Sequence, residues 1–549
     1  MGGTGGGTLS RVSPRHQFTS SLCEQTAAAI SVAIGCAGSV SASLSRPAAA
    51  DCGRPGGEPA DVIHGYPEEP SVLRGGHLVL RVSTDAPAFR VLAYRCGASM
   101  DLVAGTDWYP GRCTSRHLPF QDWGRPGGEQ PGWAGYRLEV PLAWRSGVYV
   151  AVLVEGDGGP LHNPATTPGP DARSGQALFV VQARGAPGER RAPILYKLPL
   201  LTYHAYNVVV PDPGRSWSLY TLPEPLPAHV PPSVSVHRPG GGTGGTPWDI
   251  FNHDPFDLSP RQTFRHWDAP FVAWLEGAGY EVDYCTDLDL HHDPELLDGY
   301  ALLLSAGHDE YWTDAMRDRT EGFVRDGGNV AFFGGNTCWW RVVFDDDHAF
   351  RRVAPWSDPD GPDRPENLLT GVSFRNGGER DRDDHPVPVG YAVQHADHWV
   401  FVGTGLQDGD IIGGGSHEYV VGYEADGAHF DRSRLRRGLP VQPTGDDGTP
   451  AGFTILGIGD TAASGWGFGN AAATMGLHTA AGTGGTVFTG ATTDWPRVLA
   501  GGTSHALEQV THNVVRRLSV ATRGVRPDER PGYGVRSAGT GAASRFTTR

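Results

Sequence analysis

The sequence predicts a mixed α/β protein with an all-β N-terminal part. That part is a β-sandwich of Ig-like type, and a parallel α/β domain with a β-rich insertion follows it. Three observations lead there. Residues 61–185 carry short apolar runs that alternate with period two, the mark of half-buried strands. From residue 186 onward, strand-like and helix-like segments take turns, as in a parallel sheet with helices on both faces. Gly at 78 and Pro at 44 in 549 residues favour long loops and strands over helical bundles.

The elements follow in order. Residues 1–60 are Gly/Ala/Ser-rich without durable periodicity and read as a disordered leader. Its apolar stretch Ala27–Leu44, with Arg11 and Arg15 upstream, has two readings. It is a misplaced signal peptide, with secretion as the outcome, or a leader from a start codon placed too early, with a cytoplasmic protein as the outcome. The expected strands of the sandwich are "HLVLRVST" (His77–Thr84), "FRVLAYRCG" (Phe89–Gly97), "GYRLEVPLAW" (Gly135–Trp144), "GVYVAVLVEG" (Gly147–Gly156) and "QALFVVQAR" (Gln176–Arg184). A Pro/Gly/Arg linker, Arg184–Pro193, closes this part. "ILYKLPLLTYHAYNVVV" then reads as strand, and Gly-rich "RPGGGTGGTPWD" as a flexible linker. "TFRHWDAPFVAWLEGAGY" (Thr263–Tyr280) reads as an amphipathic helix presenting Phe264, Trp267, Phe271, Trp274 and Leu275. "EVDYCTDLDL" reads as strand and loop. "LLDGYALLLSAGHDEYW" is a helix end, a strand and a loop. "TDAMRDRTEGFVRDGGNVAFFGGN" is a helix, a Gly turn and a strand, with Thr313 as N-cap. Residues 342–480 interrupt the alternation as a β-rich insertion, long enough to wall a site. The α/β domain, 186–522, ends on the strand "GTVFTGATTDW" and the helix Ser504–Val520. Residues 523–549 read as a disordered tail.

At roughly 150 residues per domain, the length suggests two to four domains. The net charge of −16 without a Lys/Arg block argues against nucleic acid or an anionic membrane as partner. No run of about 18 apolar residues marks a membrane helix. Lys197 is the only lysine, an arginine bias that fits a GC-rich genome. The seven cysteines include no CxxC pair, which argues against a zinc knuckle; Cys96 and Cys113 are either a disulfide or free thiols. The partner expected is a small-molecule substrate, with a homo-oligomer left open.

Ligands of open parallel sheets bind beyond the carboxyl ends of the strands. Three polar-aromatic loops follow apolar runs and converge there: "LTYHAYN", "SAGHDEYW" and "FFGGNTCWW". They offer His308 and Glu310 as acid–base candidates, and Tyr203, Tyr206, Asn207, Trp312 and Asn336 as substrate contacts. "GYEADG" adds Tyr423, Glu424 and Asp426. Tyrosinate and carboxylate are hard oxygen donors that suit Fe(III), Mn or Mg, and a bound cation lowers a phenol's pKa. The plainer alternatives are that Tyr311–Trp312 is a packing anchor, that His308 caps the helix, and that Glu424 is a turn residue. Cys338 sits in a Gly-rich turn like a nucleophile, but without a Gly-x-Cys-x-Gly frame and crowded by Trp339 and Trp340. Phosphate-loop, dinucleotide, His-Glu-x-x-His and Gly-x-Ser-x-Gly motifs are absent. A different class of reading is a non-catalytic carbohydrate- or peptide-binding protein, with Trp312, Trp339 and Trp340 as stacking platforms.

The strings "LLTYHAYN…SLY", "VHRP", "WLEGAGYEVDYCTDLDLH", "LLLSAGHDEYW", "GGNVAFFGGNTCWWRV", "VGYEADG" and "GTVFTGATTDW" occur in this order. In this the chain resembles the N,N-dimethylformamidase large (beta) subunit-like family, from about residue 61 to 520. The resemblance implies a glutamine-amidotransferase-like α/β fold that lacks the usual nucleophile. It implies hydrolysis of a small amide or another C–N bond at a mononuclear iron held by two tyrosines and one glutamate. By motif it implies Tyr311 as one tyrosine ligand and Glu424 as the glutamate, with His308 or Glu310 as base or support. The second tyrosine is expected near "DAPFVAWLE", where this chain has Phe271 and Trp274. Tyr203 and Tyr206 approach from another loop with no ligand role assigned. A small partner subunit belongs to the family's founding enzyme and is left open for this chain.

Overall fold

The computed structural model describes residues 63–520, apart from 114–131, 162, 164, 169–171, 184–190, 208, 213–214, 221–231, 244–260, 346–347, 380–388, 416–418, 463–470 and 483. The expected leader and tail, most of the Arg184–Pro193 linker and the second half of the Gly-rich stretch, residues 244–249, lie outside the described residues.

Between His64 and Gln182 two sheets share one core. One pairs Ser71–Leu73, Ser174–Gln182, Gly147–Gly156, Ala88–Cys96 and Met100–Gly105 in that order, with the short Tyr109–Pro110 on the side. The other pairs His64–Pro67, His77–Ser83 and Ala134–Glu139. The period-two pattern does what it should: Leu78, Leu80 and Val82 point into the core shared with Phe89, Val91, Tyr149, Leu153 and Phe179. Gly147–Gly156 departs from simple alternation, because its first eight residues are all buried. One face, Tyr149, Ala151 and Leu153, joins this core. The other, Val148, Val150, Val152 and Val154, packs into the core of the α/β part. Cys96 is free and Cys113 is disulfide-bonded, so these two do not bridge each other.

The remainder is organised on a nine-stranded sheet. Val282–Thr286, Ile194–Leu198, Leu302–His308, Asn329–Gly335 and Thr486–Thr489 run parallel, side by side in that order. Ala473–Thr479, Thr454–Gly459, Tyr391–Val393 and Ile411–Ile412 continue the same sheet antiparallel. These four strands come from residues 342–480, which therefore lengthen the main sheet as well as stand beside it. A separate four-stranded sheet, Ser233–Ser235, Ala349–Pro355, Trp340–Phe344 and Tyr311–Thr313, includes the chain that leaves the parallel strands near the site.

Local reasons explain where elements differ from the sequence pattern. The run after Ile194 is not one strand. Pro199 breaks it, with φ −83° and ψ 62°, and Leu200–Tyr206 forms a helix. The amphipathic segment is helical only over Asp268–Gly277; Phe264 and Trp267 pack from the turns before it. After Val282–Thr286 the chain turns into the helix Asp287–His292 through a capping box between Thr286 and Asp289. Thr313 caps Asp314–Arg325 as its position suggests, its hydroxyl accepting from the Met316 N–H. The terminal helix, His505–Leu518, buries Val510, Val514 and Leu518 and turns Arg516 and Arg517 outward.

Three buried ion pairs fasten these parts. Lys197 Nζ lies 2.5 Å from Asp287 Oδ1 and 2.7 Å from Asp309 Oδ1, all three side chains almost fully buried. Burial opposes the ammonium, but the two carboxylates outweigh it and raise Lys197 above its ordinary range. Arg95, on the N-terminal sheet, makes a bidentate pair with Glu276 on the helix Asp268–Gly277, at 2.9 and 2.6 Å. Burial works to raise Glu276, yet the Arg95 guanidinium and the Tyr284 hydroxyl hold it below the ordinary carboxylate value.

Two outcomes are expected. Lys197→Met strands two buried carboxylates and should cost about 3–5 kcal/mol, read as a lowered denaturant midpoint; adding Asp309→Asn should recover part of it. For Glu276, a folded pKa below an unfolded value of roughly 4.3 stabilises above that pH and is lost as pH falls through the folded value. The gap in melting temperature between wild type and Glu276→Gln should therefore be constant from pH 6 to 8 and shrink in acid. A gap that widens below pH 4 would overturn the assignment.

Candidate functional site

The parallel strands end where the chemistry gathers. His308 is the last residue of its strand and pairs in register with Gly335, the last residue of the next. Asn336 follows at once. The packing demands glycine here: a Cβ on Gly335 would lie 2.7 Å from the Thr493 nitrogen and 2.8 Å from the Glu424 carbonyl oxygen. That close approach lets the Glu424–Gly427 strand run across the sheet edge. A Cβ on Gly307, which sits at φ +70°, would likewise come within 2.5 Å of the Trp267 Cβ. Asn336, Cys338 and Tyr423 take left-handed φ values of 49°, 59° and 32° although none is glycine. Such conformations cluster where surrounding structure fixes side-chain direction.

A contiguous polar cluster results. Tyr206 donates to Glu310 Oε2 at 2.9 Å, and Tyr220 donates to Glu310 Oε1 at 3.3 Å. The Tyr220 and Tyr311 hydroxyls are hydrogen-bonded to each other. His308 Nε2 lies 2.8 Å from Glu424 Oε2 and 3.3 Å from Glu310 Oε2. Those contacts are out of line for a hydrogen bond, since Nε2 has no hydrogen-bond partner. His308 Nδ1 is fixed by Gln262 Oε1 at 2.9 Å, and Asn336 Nδ2 donates to Glu424 Oε2 at 3.2 Å. Behind Glu424, Asp426 accepts from the backbone N–H groups of Asn336 and Thr337.

Every charge here is buried. His308, Glu310, Tyr311 and Glu424 are at most 3% exposed, while Tyr220 is 46% exposed and reaches in with its hydroxyl end. Burial lifts Glu310 to about 7 and Asp426 to about 8. Burial also opposes the imidazolium of His308, but Glu424 and then Glu310 outweigh it and raise His308 to about 9. Burial and the Glu310 charge push Tyr206 and Tyr311 well above the ordinary phenol value. The protein alone thus holds neutral phenols against shared carboxylates.

Six of the residues singled out from sequence meet in this cluster: Tyr206, His308, Glu310, Tyr311, Asn336 and Glu424. The other three do not. Tyr203 turns away to bond Asp268. Asn207 is buried and donates to the Pro239 carbonyl at 2.7 Å. Trp312 is fully buried under Lys197, 4.7 Å from its ring centre, with its indole N–H on Asp309, so its face is closed to a ligand. Cys338 is buried and its thiol is pushed far up by burial, a poor nucleophile. Sequence reasoning gave no role to Tyr220, although it sits in the quoted "SLY", nor to Gln262. A pocket between the N-terminal sheet and Phe264–Ala273 is mostly apolar and has none of the cluster residues in its lining. Among the described residues no helix is long and apolar enough to cross a membrane.

A family model described as "N,N-dimethylformamidase beta subunit-like, C-terminal" matches residues 94–510, most of the chain and all of this cluster. The chain is 29% identical to the N,N-dimethylformamidase beta subunit of an Alcaligenes species, over 48% of this chain and 39% of that one. It is 28% identical to the N,N-dimethylformamidase beta subunit of Paracoccus aminophilus, over 37% and 30%. It therefore spans well under two thirds of the length of the curated relatives it matches. A solved family 123 glycoside hydrolase from Clostridium perfringens overlaps with a TM-score of 0.10 at 10% identity, covering 53% of this chain and 48% of that one, and carries no argument. Matched over this span and by these relatives, the chain belongs to the N,N-dimethylformamidase beta subunit-like family.

Proposed function

We propose that this protein hydrolyses a small amide or a related C–N bond with the help of a metal ion, iron by analogy with the family, held by Tyr206, Tyr220 and Glu310. One observation carries the reading: two phenol oxygens from separate segments converge on the two oxygens of one buried glutamate. The sequence resemblance pointed to Tyr311 and Glu424 as ligands. The geometry favours a different division. Among the described residues the Tyr311 hydroxyl bonds the Tyr220 hydroxyl and not Glu310, and Glu424 faces His308 and Asn336 rather than a phenol. Among the described residues no group of three or more His, Cys, Asp or Glu side chains is disposed to hold a metal, so a cation here must draw on phenol oxygens. The donors fit one: phenolate and carboxylate are hard ligands, and a cation would replace protons that burial otherwise keeps on the tyrosines.

When bound, the ion supplies Lewis acidity, polarising the amide carbonyl and acidifying water. The rest falls to the chain. Gln262 Oε1 accepts from His308 Nδ1 and fixes the ring, and the imidazolium that Glu424 and Glu310 favour carries its second proton on Nε2, towards the cluster. From there His308 can protonate the departing nitrogen, and Glu424 compensates its charge. Tyr311 orients the Tyr220 oxygen, and Asn336 with the Asp426 loop holds Glu424 in place. The surrounding buried walls exclude bulk water and strengthen these interactions. The relatives' names speak of a beta subunit, which supports a partner chain for this protein too. The glycan- or peptide-binding alternative loses its central platform with Trp312 in the core.

The test is metal content and formate release from N-methylformamide and N,N-dimethylformamide. The protein is expected to bind iron with a tyrosinate charge-transfer band. Tyr206→Phe, Tyr220→Phe and Glu310→Gln should each abolish the band and the activity. Tyr311→Phe should keep the band, shifted, and weaken iron by roughly tenfold. Full activity in iron-free protein, or in Tyr206→Phe, sinks the reading.

A further inference from the structure

Among the described residues the buried cluster opens to solvent at Tyr220. Tyr220 is the exposed member, and its ring stacks on Tyr206 with centroids 4.4 Å apart and planes at 21°. The Arg352 guanidinium carbon lies 4.8 Å from the Tyr220 ring centre and 4.7 Å from that of Trp340. Arg352 comes from the strand Ala349–Pro355 and Trp340 from its neighbour Trp340–Phe344, so the sheet fixes their spacing. Arg352 is only half-buried.

Its hydrogen bonding is incomplete in a telling way. Nη2 donates to the Leu219 carbonyl at 3.0 Å. Among the described residues it has no carboxylate within ion-pair distance, whereas Arg95, Arg317, Arg341, Arg351 and Arg364 each have one. Its other nitrogens are not among the sealed polar atoms, so they face solvent. Two aromatic faces hold the guanidinium flat, and its field reaches Glu310 and Tyr311. A planar cation, stacked in place and with N–H donors to spare, is prepared for a planar anion. A neutral amide such as a dialkylformamide has no use for it.

We propose that Arg352 is a carboxylate subsite at the mouth of the cluster. The amide taken by this protein then bears a carboxylate one or two carbons from its C–N bond, as in an N-formyl amino acid. The carboxylate pairs with Arg352 while the formyl group reaches past the Tyr220 ring to the Tyr206–Tyr220–Glu310 centre. The reaction rests on the amidase reading above; the subsite does not. In it, water oxygen bonds to the formyl carbon and the C–N bond breaks. The electron pair stays on nitrogen, which takes a proton, so that formate and a free amino acid leave.

The experiment compares N-formylglycine with N-methylformamide on the iron-loaded full chain, by kcat/KM, together with calorimetric titration of N-formylglycine. Wild type should favour N-formylglycine by about tenfold or more, as expected for a charged hydrogen-bonded contact. In Arg352→Gln the ratio of the two kcat/KM values should fall towards one, chiefly through KM for N-formylglycine. Arg352→Lys, which keeps charge but not the fork, should fall between. Melting curves on each variant check that the fold persists. Equal efficiency on both amides in wild type, or a ratio unchanged in Arg352→Gln, overturns the subsite and leaves the amidase reading standing. Arg352-dependent binding of N-formylglycine with hydrolysis of neither amide upholds the subsite and removes the amidase reading.

Discussion

Everything at the ligand edge of the sheet hangs on one buried ammonium. Lys197, the sole lysine, stands one residue before the end of the strand Ile194–Leu198 and bonds the acids that follow its neighbours on either side, Asp287 and Asp309. Asp287 also receives the Leu201 N–H, which starts the helix leading to Tyr206. Asp309 also receives the Trp312 indole, and its neighbour in sequence is Glu310. One cation thus ties together the starting points of the segments that carry Tyr206, His308, Glu310 and Tyr311. Arginine would not serve as well, because its flat fork is larger than a single Nζ set between two carboxylate oxygens. That gives a physical reason for one lysine to stand in a chain whose other basic side chains are arginines.

Above this anchor the cluster is electrostatically unresolved by protein alone. Two glutamates, three phenols and one imidazole are packed together, and burial, then the Glu310 charge, keeps Tyr206 and Tyr311 protonated. Buried polar networks are stable only when every member is satisfied. Here His308 Nε2 lacks an aligned partner. Left-handed φ at Asn336 and Tyr423 shows the backbone also paying conformational cost beside the same groups. Unresolved charge and an unrelaxed backbone therefore meet at one spot.

Much of this was legible in the chain. The alternation in "HLVLRVST" and the apolar run in "LLLSAGH" each have a single structural solution, and the handover from strand to "HDEYW" marked the site because polar residues crowd at a strand's carboxyl end. Tyr206, Glu310 and His308 were within reach of that reasoning. Tyr220 was not, because its own stretch has no periodicity and its value comes from a fold that returns it to Tyr206 and Tyr311. The same holds for Arg352, one of many arginines until the sheet sets it between Tyr220 and Trp340. Trp312 misled for the opposite reason: a tryptophan beside a catalytic-looking loop resembles a platform, and only packing reveals that Lys197 covers it. Short-range chemistry is written in sequence; the choice among equal candidates is made by long-range contacts.

The strand Gly147–Gly156 has a consequence for ancestry. Its two faces belong to two different cores, so it is a party wall rather than a boundary. Neither side can be removed without exposing a row of valines or aromatics on the other. Recombination that exchanges whole modules would find no clean seam here, and the β part and the α/β part are bound to be inherited, and to drift, together.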